Sequence, residues 1–137
     1  MNISKINQRI PYRIGYLMHG TRNVGGGEYM LYFLIRNLRK DFFNPIVFYV
    51  QENEIIKKLR EEKIKLIQIP MKKEVISIYR SDVRKTPASL YTYLANLSHE
   101  ILMFREALRE NKIDLIHPHD NLSKIIGGIA GKITGIK

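Results

Sequence analysis

Two short stretches of this 137-residue sequence carry residue types that could do chemistry. The first is Gly25-Gly26-Gly27-Glu28. Lacking a Cβ, glycine lets backbone N–H groups approach a ligand closely. If a helix begins there, its first turn adds unpaired donors and the positive end of the helix dipole. Such a turn could cradle a phosphate; the plainer reading is a flexible loop with a helix start. The second stretch is His117-Pro118-His119-Asp120. Residues two apart on a strand point to one side, so both imidazoles could donate to, or accept from, a hydroxyl near neutral pH. Asp120 could orient an imidazole or cap the next helix. The plainer reading of His117 is a satisfied core histidine, whereas His119, at the strand end, is the candidate catalytic group. Two histidines with no third ligand at a suggestive spacing do not make a metal site, and none is expected.

The elements that must hold these residues follow from periodicity. Residues 12–18 read as a strand, and the loop from His19 leads into a helix with Leu31, Leu34, Ile35 and Leu38 on one face. Residues 45–50 form a short apolar, β-branched run, a buried strand. A charged helix over 52–63 shows a narrow face of Ile55, Ile56 and Leu59, and a third strand spans 64–69 before Pro70. Residues 71–87 lack a period and hold Lys72, Lys73, Arg80, Arg84 and Lys85, a candidate surface for anions. From Ala88 to Asn111, Leu90, Leu94, Leu97, Ile101, Phe104 and Leu108 recur every three or four residues, predicting a long helix packed on a sheet. Residues 113–118 read as a fourth strand. The last helix carries Leu122, Ile125, Ile126, Ile129 and Ile133, with Gly127, Gly128 and Gly131 thinning it for close approach and Gly135 stopping it.

Strands alternating with helices predict an α/β fold with a doubly wound parallel sheet and right-handed crossovers. The expected strand order is 3-2-1-4, with the switch point between strands 1 and 4. Ligands of such sheets bind beyond the carboxyl ends of the strands at the switch point. That rule points to both chemical stretches at once. Residues 1–11 form an N-terminal extension and 12–137 one domain.

The sequence has no cysteine, which removes disulfides, thiolate metal sites and cysteine nucleophiles. No stretch reads as a signal peptide or approaches the length of a membrane span. The formal net charge of +10 suits an anionic partner or simple solubility. A basic nucleic-acid-binding module is a weaker reading, because the charges are spread and no aromatic stripe or helix-turn-helix accompanies them, so no specific nucleic acid is expected. Dinucleotide binding is weaker too. The spacing that follows Gly25 and Gly27 would require glycine at Met30, although Glu52 could imitate the ribose-binding acid.

The run Arg13-Ile-Gly-Tyr-Leu-Met, a loop, and Gly25-Gly-Gly-Glu-Tyr-Met-Leu resembles the opening of family 4-like glycosyltransferases, where a strand leads to a Gly-Gly-Ala-Glu helix start. Lys112-Ile-Asp-Leu-Ile-His-Pro-His-Asp resembles that family's K-x-D-(I/V)-(I/V)-H-x-H strand, and Gly127-Gly-Ile-Ala-Gly-Lys-Ile-Thr-Gly-Ile is similar to the ending that follows it. The resemblance covers about Arg13 to Lys137. It implies a Rossmann-like GT-B N-terminal, acceptor-side domain of a retaining enzyme that needs no cofactor or metal. The partners implied are a nucleotide-sugar and a glycan or lipid-linked acceptor, at a cytoplasmic location, peripheral to the inner face of the membrane. By position, Gly26 and Gly27 look like the glycines near the donor phosphates, and His119 like the histidine near the transferred sugar. The family alanine before the glutamate is Gly27 here. The sequence stops at Ile136-Lys137 before a fifth strand, so the expectation is a fragment, a split-gene product or an incomplete gene model, inactive alone. It would be completed by a C-terminal donor domain; the second reading is a non-catalytic or partner-dependent domain completed by a separate donor-binding subunit. The uncovered edge of the fourth strand suggests self-association.

Overall fold

The structure is a computed structural model and describes residues 11–19, 24–71 and 86–136. The chain runs β1 (Tyr12–Met18), α1 (Gly26–Arg36), β2 (Phe43–Tyr49), α2 (Glu54–Glu61), β3 (Lys65–Gln68), α3 (Pro87–Glu110), β4 (Leu115–Pro118) and α4 (Asn121–Thr134). The strands form one sheet in the order β3-β2-β1-β4, and every neighbouring pair is parallel. Tyr12 pairs with Phe43 at one end of the β1–β2 ladder and Met18 with Tyr49 at the other, while Ile14 to Leu17 pair with Leu115 to Pro118. The expected fold class and strand order are both present.

Burial on both faces explains the continuous apolar runs of β1 and β2. Alternate residues divide between two cores. Tyr16, Met18, Val47 and Tyr49 meet Leu31 and Ile35 of α1 and Ile55, Ile56 and Leu59 of α2. Leu17, Ile46 and Phe48 meet Ile101, Phe104 and Leu108 of α3 and Ile126 and Ala130 of α4. Phe48 and Phe104 make the edge-to-face contact at the centre of the second core, with ring centroids 5.3 Å apart.

Several boundaries differ from the sequence expectation, each for a local reason. The second strand starts at Phe43, two residues early, because Phe43 and Asn44 pair with β1. Its pairing to β3 begins only at Ile46, so Pro45 lies where the strand has one neighbour, a place that tolerates a residue without an N–H. α2 starts at Glu54 because Asn53 caps it, its Oδ1 accepting from the Ile56 N–H at 3.0 Å. β3 and β4 are each four residues long. Before them, Lys63 and Lys112 adopt left-handed backbone (φ 58° and 51°), and the next amides, Ile64 and Ile113, reach back to the carbonyls of Leu59 and Leu108 at 3.1 Å. These two turns close α2 and α3. α4 ends at Gly135 with φ 73°, as expected.

Two face assignments need correction. Leu34, placed on the core face of α1, is exposed, and Tyr32 is buried instead. On α3, Ile101, Phe104 and Leu108 are buried and Leu97 partly so, but Leu90 and Leu94 are 45% and 50% exposed. A helix of 24 residues is about 36 Å long, whereas the longest strands, of seven residues, span about 23 Å. Its first half therefore outruns the sheet that would bury it. In α4, Gly127 and Gly131 do let the helix lie on β4: a Cβ at Gly131 would come within 2.8 Å of Ile116 Cδ1. Gly128 faces open space, against expectation.

Replacing Phe104 by alanine is expected to lower stability by about 3 to 5 kcal/mol through cavity formation, and Leu94→Ala by less than about 0.5 kcal/mol. Urea denaturation midpoints of the two variants check this. A large loss for Leu94→Ala would show that the first half of α3 is packed after all.

Candidate functional site

The β1–β4 ladder carries both chemical stretches to one end of the sheet. β1 ends at Met18 and β4 at Pro118, and the His119 N–H donates to the Leu17 carbonyl at 3.1 Å, extending the ladder by one residue. α1 begins just beyond Gly25, whose extended backbone (φ −107°, ψ −178°) supplies no side chain to cap the first turn. The Glu28 carboxylate turns back to accept from the Gly25 N–H at 2.9 Å, half of a capping box. Gly26 and Gly27 occupy the first two helical positions, both exposed.

The His119 ring sits against this helix start. A Cβ at residue 27 would lie 3.1 Å from His119 Nε2 and 3.7 Å from Cε1. Only glycine leaves the imidazole its position unshifted. His119 is half-buried, and its imidazole faces the first-turn backbone of α1 at this end of the sheet. His117 points to the same side, its ring 5.3 Å from that of Tyr16. It is exposed rather than a core residue. Partial desolvation, and then the nearby His119, lower its pKa, favouring the neutral imidazole. The Tyr16 phenol beneath is pushed up to about 12 by burial and stays a neutral hydroxyl.

Asp120 does both things expected of it, but the imidazole it orients is one the sequence reading passed over. Its Oδ1 caps α4 by accepting from the Ser123 N–H at 2.8 Å. Its Oδ2 accepts from the Ser123 hydroxyl at 2.7 Å and from the His19 N–H at 3.1 Å. The His19 ring Nδ1 lies 3.1 and 3.2 Å from the two carboxylate oxygens and 2.7 Å from Ser123 Oγ. His19 is only 7% exposed. Burial alone would raise the Asp120 pKa. Hydrogen bonding and charge from His19, with the Ser123 amide and hydroxyl, outweigh it and hold the carboxyl well below the usual carboxylate range. The signal for His19 was its parity with Leu17, two residues back on an apolar strand, which turns it inward.

Glu52 is not free to act as a ribose-binding acid. It accepts from Arg60 Nη2 at 2.5 Å and from the Tyr49 hydroxyl at 3.0 Å. Among the described residues no group of three histidine, aspartate or glutamate side chains is placed to hold a metal ion. Lys72, Lys73, Arg80, Arg84 and Lys85 lie outside the described residues.

Because the folded pKa of Asp120 is depressed, its contribution is complete above its unfolded value of about 3.9 and fades as the pH falls toward the folded one. Asp120→Ala is expected to cost about 1 to 2 kcal/mol at pH 7, the range for a lost cap and charged hydrogen bonds. That difference should shrink at pH 3. Urea unfolding of both proteins at the two pH values measures it, and a gap that widens in acid would contradict the ionised clamp.

No family model matches the sequence, and no curated protein does either. Solved structures with the same fold do exist. MurG from Acinetobacter baumannii is 15% identical, with a TM-score of 0.64 over 92% of this chain and 33% of its own. The lipopolysaccharide outer core galactosyltransferase WaaB, in its apo form, is 19% identical, with a TM-score of 0.59 over 91% of this chain and 31% of its own. HepE from Anabaena, solved with UDP and glucose, is 16% identical, with a TM-score of 0.55 over 93% and 28%. All are GT-B glycosyltransferases. The chain thus spans about a third of the length of these structures, and its fold is that of a segment of a GT-B glycosyltransferase.

Proposed function

We propose that this chain is the acceptor-side part of a retaining glycosyltransferase, which moves a sugar from a nucleotide-sugar to a glycan or lipid-linked acceptor without a metal. The observation that carries the reading is the approach of His119 Nε2 to the position of a Gly27 Cβ, at 3.1 Å, at the switch point of the sheet. A leaving nucleoside diphosphate gains negative charge as the glycosidic bond breaks. Uncapped amides at a helix start, preorganised toward that charge, stabilise it more in the transition state than in the ground state. His119, beside them, is placed to hold an acceptor or sugar hydroxyl, accepting or donating a proton at Nε2. His117, kept neutral, serves as a second hydroxyl partner. The crystallised HepE with UDP and glucose supports nucleotide-sugar chemistry for this fold.

On this reading a donor-binding part lies outside these residues, in the same protein or in a partner subunit; the chain spans about a third of the glycosyltransferases it resembles. The 137-residue chain alone, given a UDP-sugar and acceptors, should therefore show no turnover. In the protein completed by its donor-binding part, His119→Ala is expected to lower kcat by about 10²-fold or more. Product formation from a radiolabelled UDP-sugar reads both. Turnover by the isolated chain, or full activity of His119→Ala, would refute the assignment.

An anionic membrane surface is the proposed site of action. Leu90, Tyr91 and Leu94 are exposed on the front half of α3, immediately after the sequence segment bearing Lys72, Lys73, Arg80, Arg84 and Lys85. No helix among the described residues is long and apolar enough to cross a membrane. A basic stretch of sequence followed by exposed apolar side chains suits the boundary of an anionic leaflet, each cation adding roughly 1 kcal/mol. Cosedimentation should therefore recover the chain with vesicles containing phosphatidylglycerol, and far less with pure phosphatidylcholine. Equal recovery at low salt would remove the proposal.

A further inference from the structure

His19 has no role in the chemistry so far, yet it is among the few polar residues buried in the structure. Its hydrogen-bond network assigns the ring proton. The Ser123 hydroxyl has one hydrogen, and an ionised carboxylate can only accept, so that hydrogen goes to Asp120 Oδ2. Ser123 Oγ, 2.7 Å from His19 Nδ1, must then accept from it. Nδ1 therefore carries a hydrogen whether the ring is neutral or charged, shared between the hydroxyl and the carboxylate; when the ring is neutral, Nε2 is a bare acceptor. Nε2 is buried with no partner among the described residues.

The contacts bracket His119. On one side, the His119 N–H is fixed to the Leu17 carbonyl at 3.1 Å. On the other, the next residue, Asp120, receives both the backbone N–H and the ring of His19. The end of β4 is thereby tied to Leu17 of β1 through the His119 amide and to His19, just beyond β1, through the Asp120 carboxylate. Its ring has little tolerance, with the helix start at Gly27 directly against it.

We propose that His19 is a positioning residue: its Nδ1–H, through Asp120 and Ser123, fixes the backbone from which His119 reaches the start of α1. The functional meaning rests on the proposed role of His119, but the measurement below requires no sugar ligand and no donor-binding part. Failure of one reading therefore leaves the other intact.

The two nitrogens of an imidazole can be imitated separately. Asparagine places its amide N–H₂ near the position of Nδ1, and glutamine near that of Nε2. The test is an imidazole C–H correlation spectrum of the full chain, whose four histidines are assigned by single substitution. In the wild type, long-range proton–nitrogen correlations should show a protonated Nδ1 and an unprotonated Nε2 for neutral His19. His19→Asn should leave the His119 signals at their wild-type positions. His19→Gln and His19→Ala should shift or broaden them, with circular dichroism showing that each variant is folded. Should His19→Ala fail to fold, Ser123→Ala, which removes one acceptor of Nδ1–H, should move the His119 signals instead. Unchanged His119 signals in folded His19→Ala or Ser123→Ala would overturn the proposal. Rescue by glutamine and not by asparagine would overturn it as well, by placing the role of His19 at Nε2.

Discussion

The parallel pairing of β1 with β4 is the interaction on which the candidate site depends. Gly25 and His119 are far apart in sequence, and neither has a local reason to meet the other. Four paired positions, from Ile14 with Leu115 to Leu17 with Pro118, set the register, and the amide of His119 adds one more bond to Leu17. A slip of one residue would turn the histidine ring to the opposite face of the sheet, away from α1. That register is defended from below by Asp114, whose Oδ2 accepts from the Arg13 N–H at 2.7 Å, and from above by Asp120 on His19. Both ends of a short ladder are thus tied by a carboxylate to the backbone of β1.

The same ladder is open on its outer side. Among the described residues β4 pairs only with β1, and Leu115 is exposed at its start. Its helix, α4, buries Ile126, Gly127, Ala130 and Gly131 but leaves Ile125, Ile129 and Ile133 exposed. The second core is therefore anchored mainly by α3 and the inner line of α4, through Phe104, Leu108 and Ile126. Ser123, fully buried at the top of that line, couples this core to the site, because its amide and hydroxyl both end on Asp120. Packing of α4 and geometry of the site are one problem, not two.

Elements with a strong period, or with both faces buried, were legible in the sequence: β1, the second half of α3, and the Ile55, Ile56 and Leu59 face of α2. Strand order followed from chain alternation alone. Half-exposed elements were harder. Leu90 and Leu94 continue the α3 period perfectly well, but period reports which side a residue occupies and not whether anything lies opposite it. The start of α2 moved because a side-chain cap, Asn53, decided it, and caps act within one turn where hydrophobic pattern is silent. At the candidate site, Gly27, His119 and Asp120 were singled out from residue type and position, and the fold brings them to one end of the sheet. His19 was missed because a single histidine at a strand end has no spacing partner. Its partners, Asp120 and Ser123, are about a hundred residues away and are brought to it only by the fold.

The pattern this sequence resembles has alanine where this chain has Gly27, and the structure shows what a methyl group there would meet. A methyl group at residue 27 would sit 3.1 Å from His119 Nε2, closer than a Cβ normally stands to its neighbours. The ring cannot retreat freely, because its backbone is fixed at Leu17 and, through Asp120, at His19. Residue 27 and the reach of His119 are therefore coupled: a chain with alanine must hold the imidazole slightly farther from the helix start, and this chain can hold it closer. Closer approach shortens the distance between the ring and the first-turn amides. Gly27 thus sets how near the imidazole can stand to the start of α1.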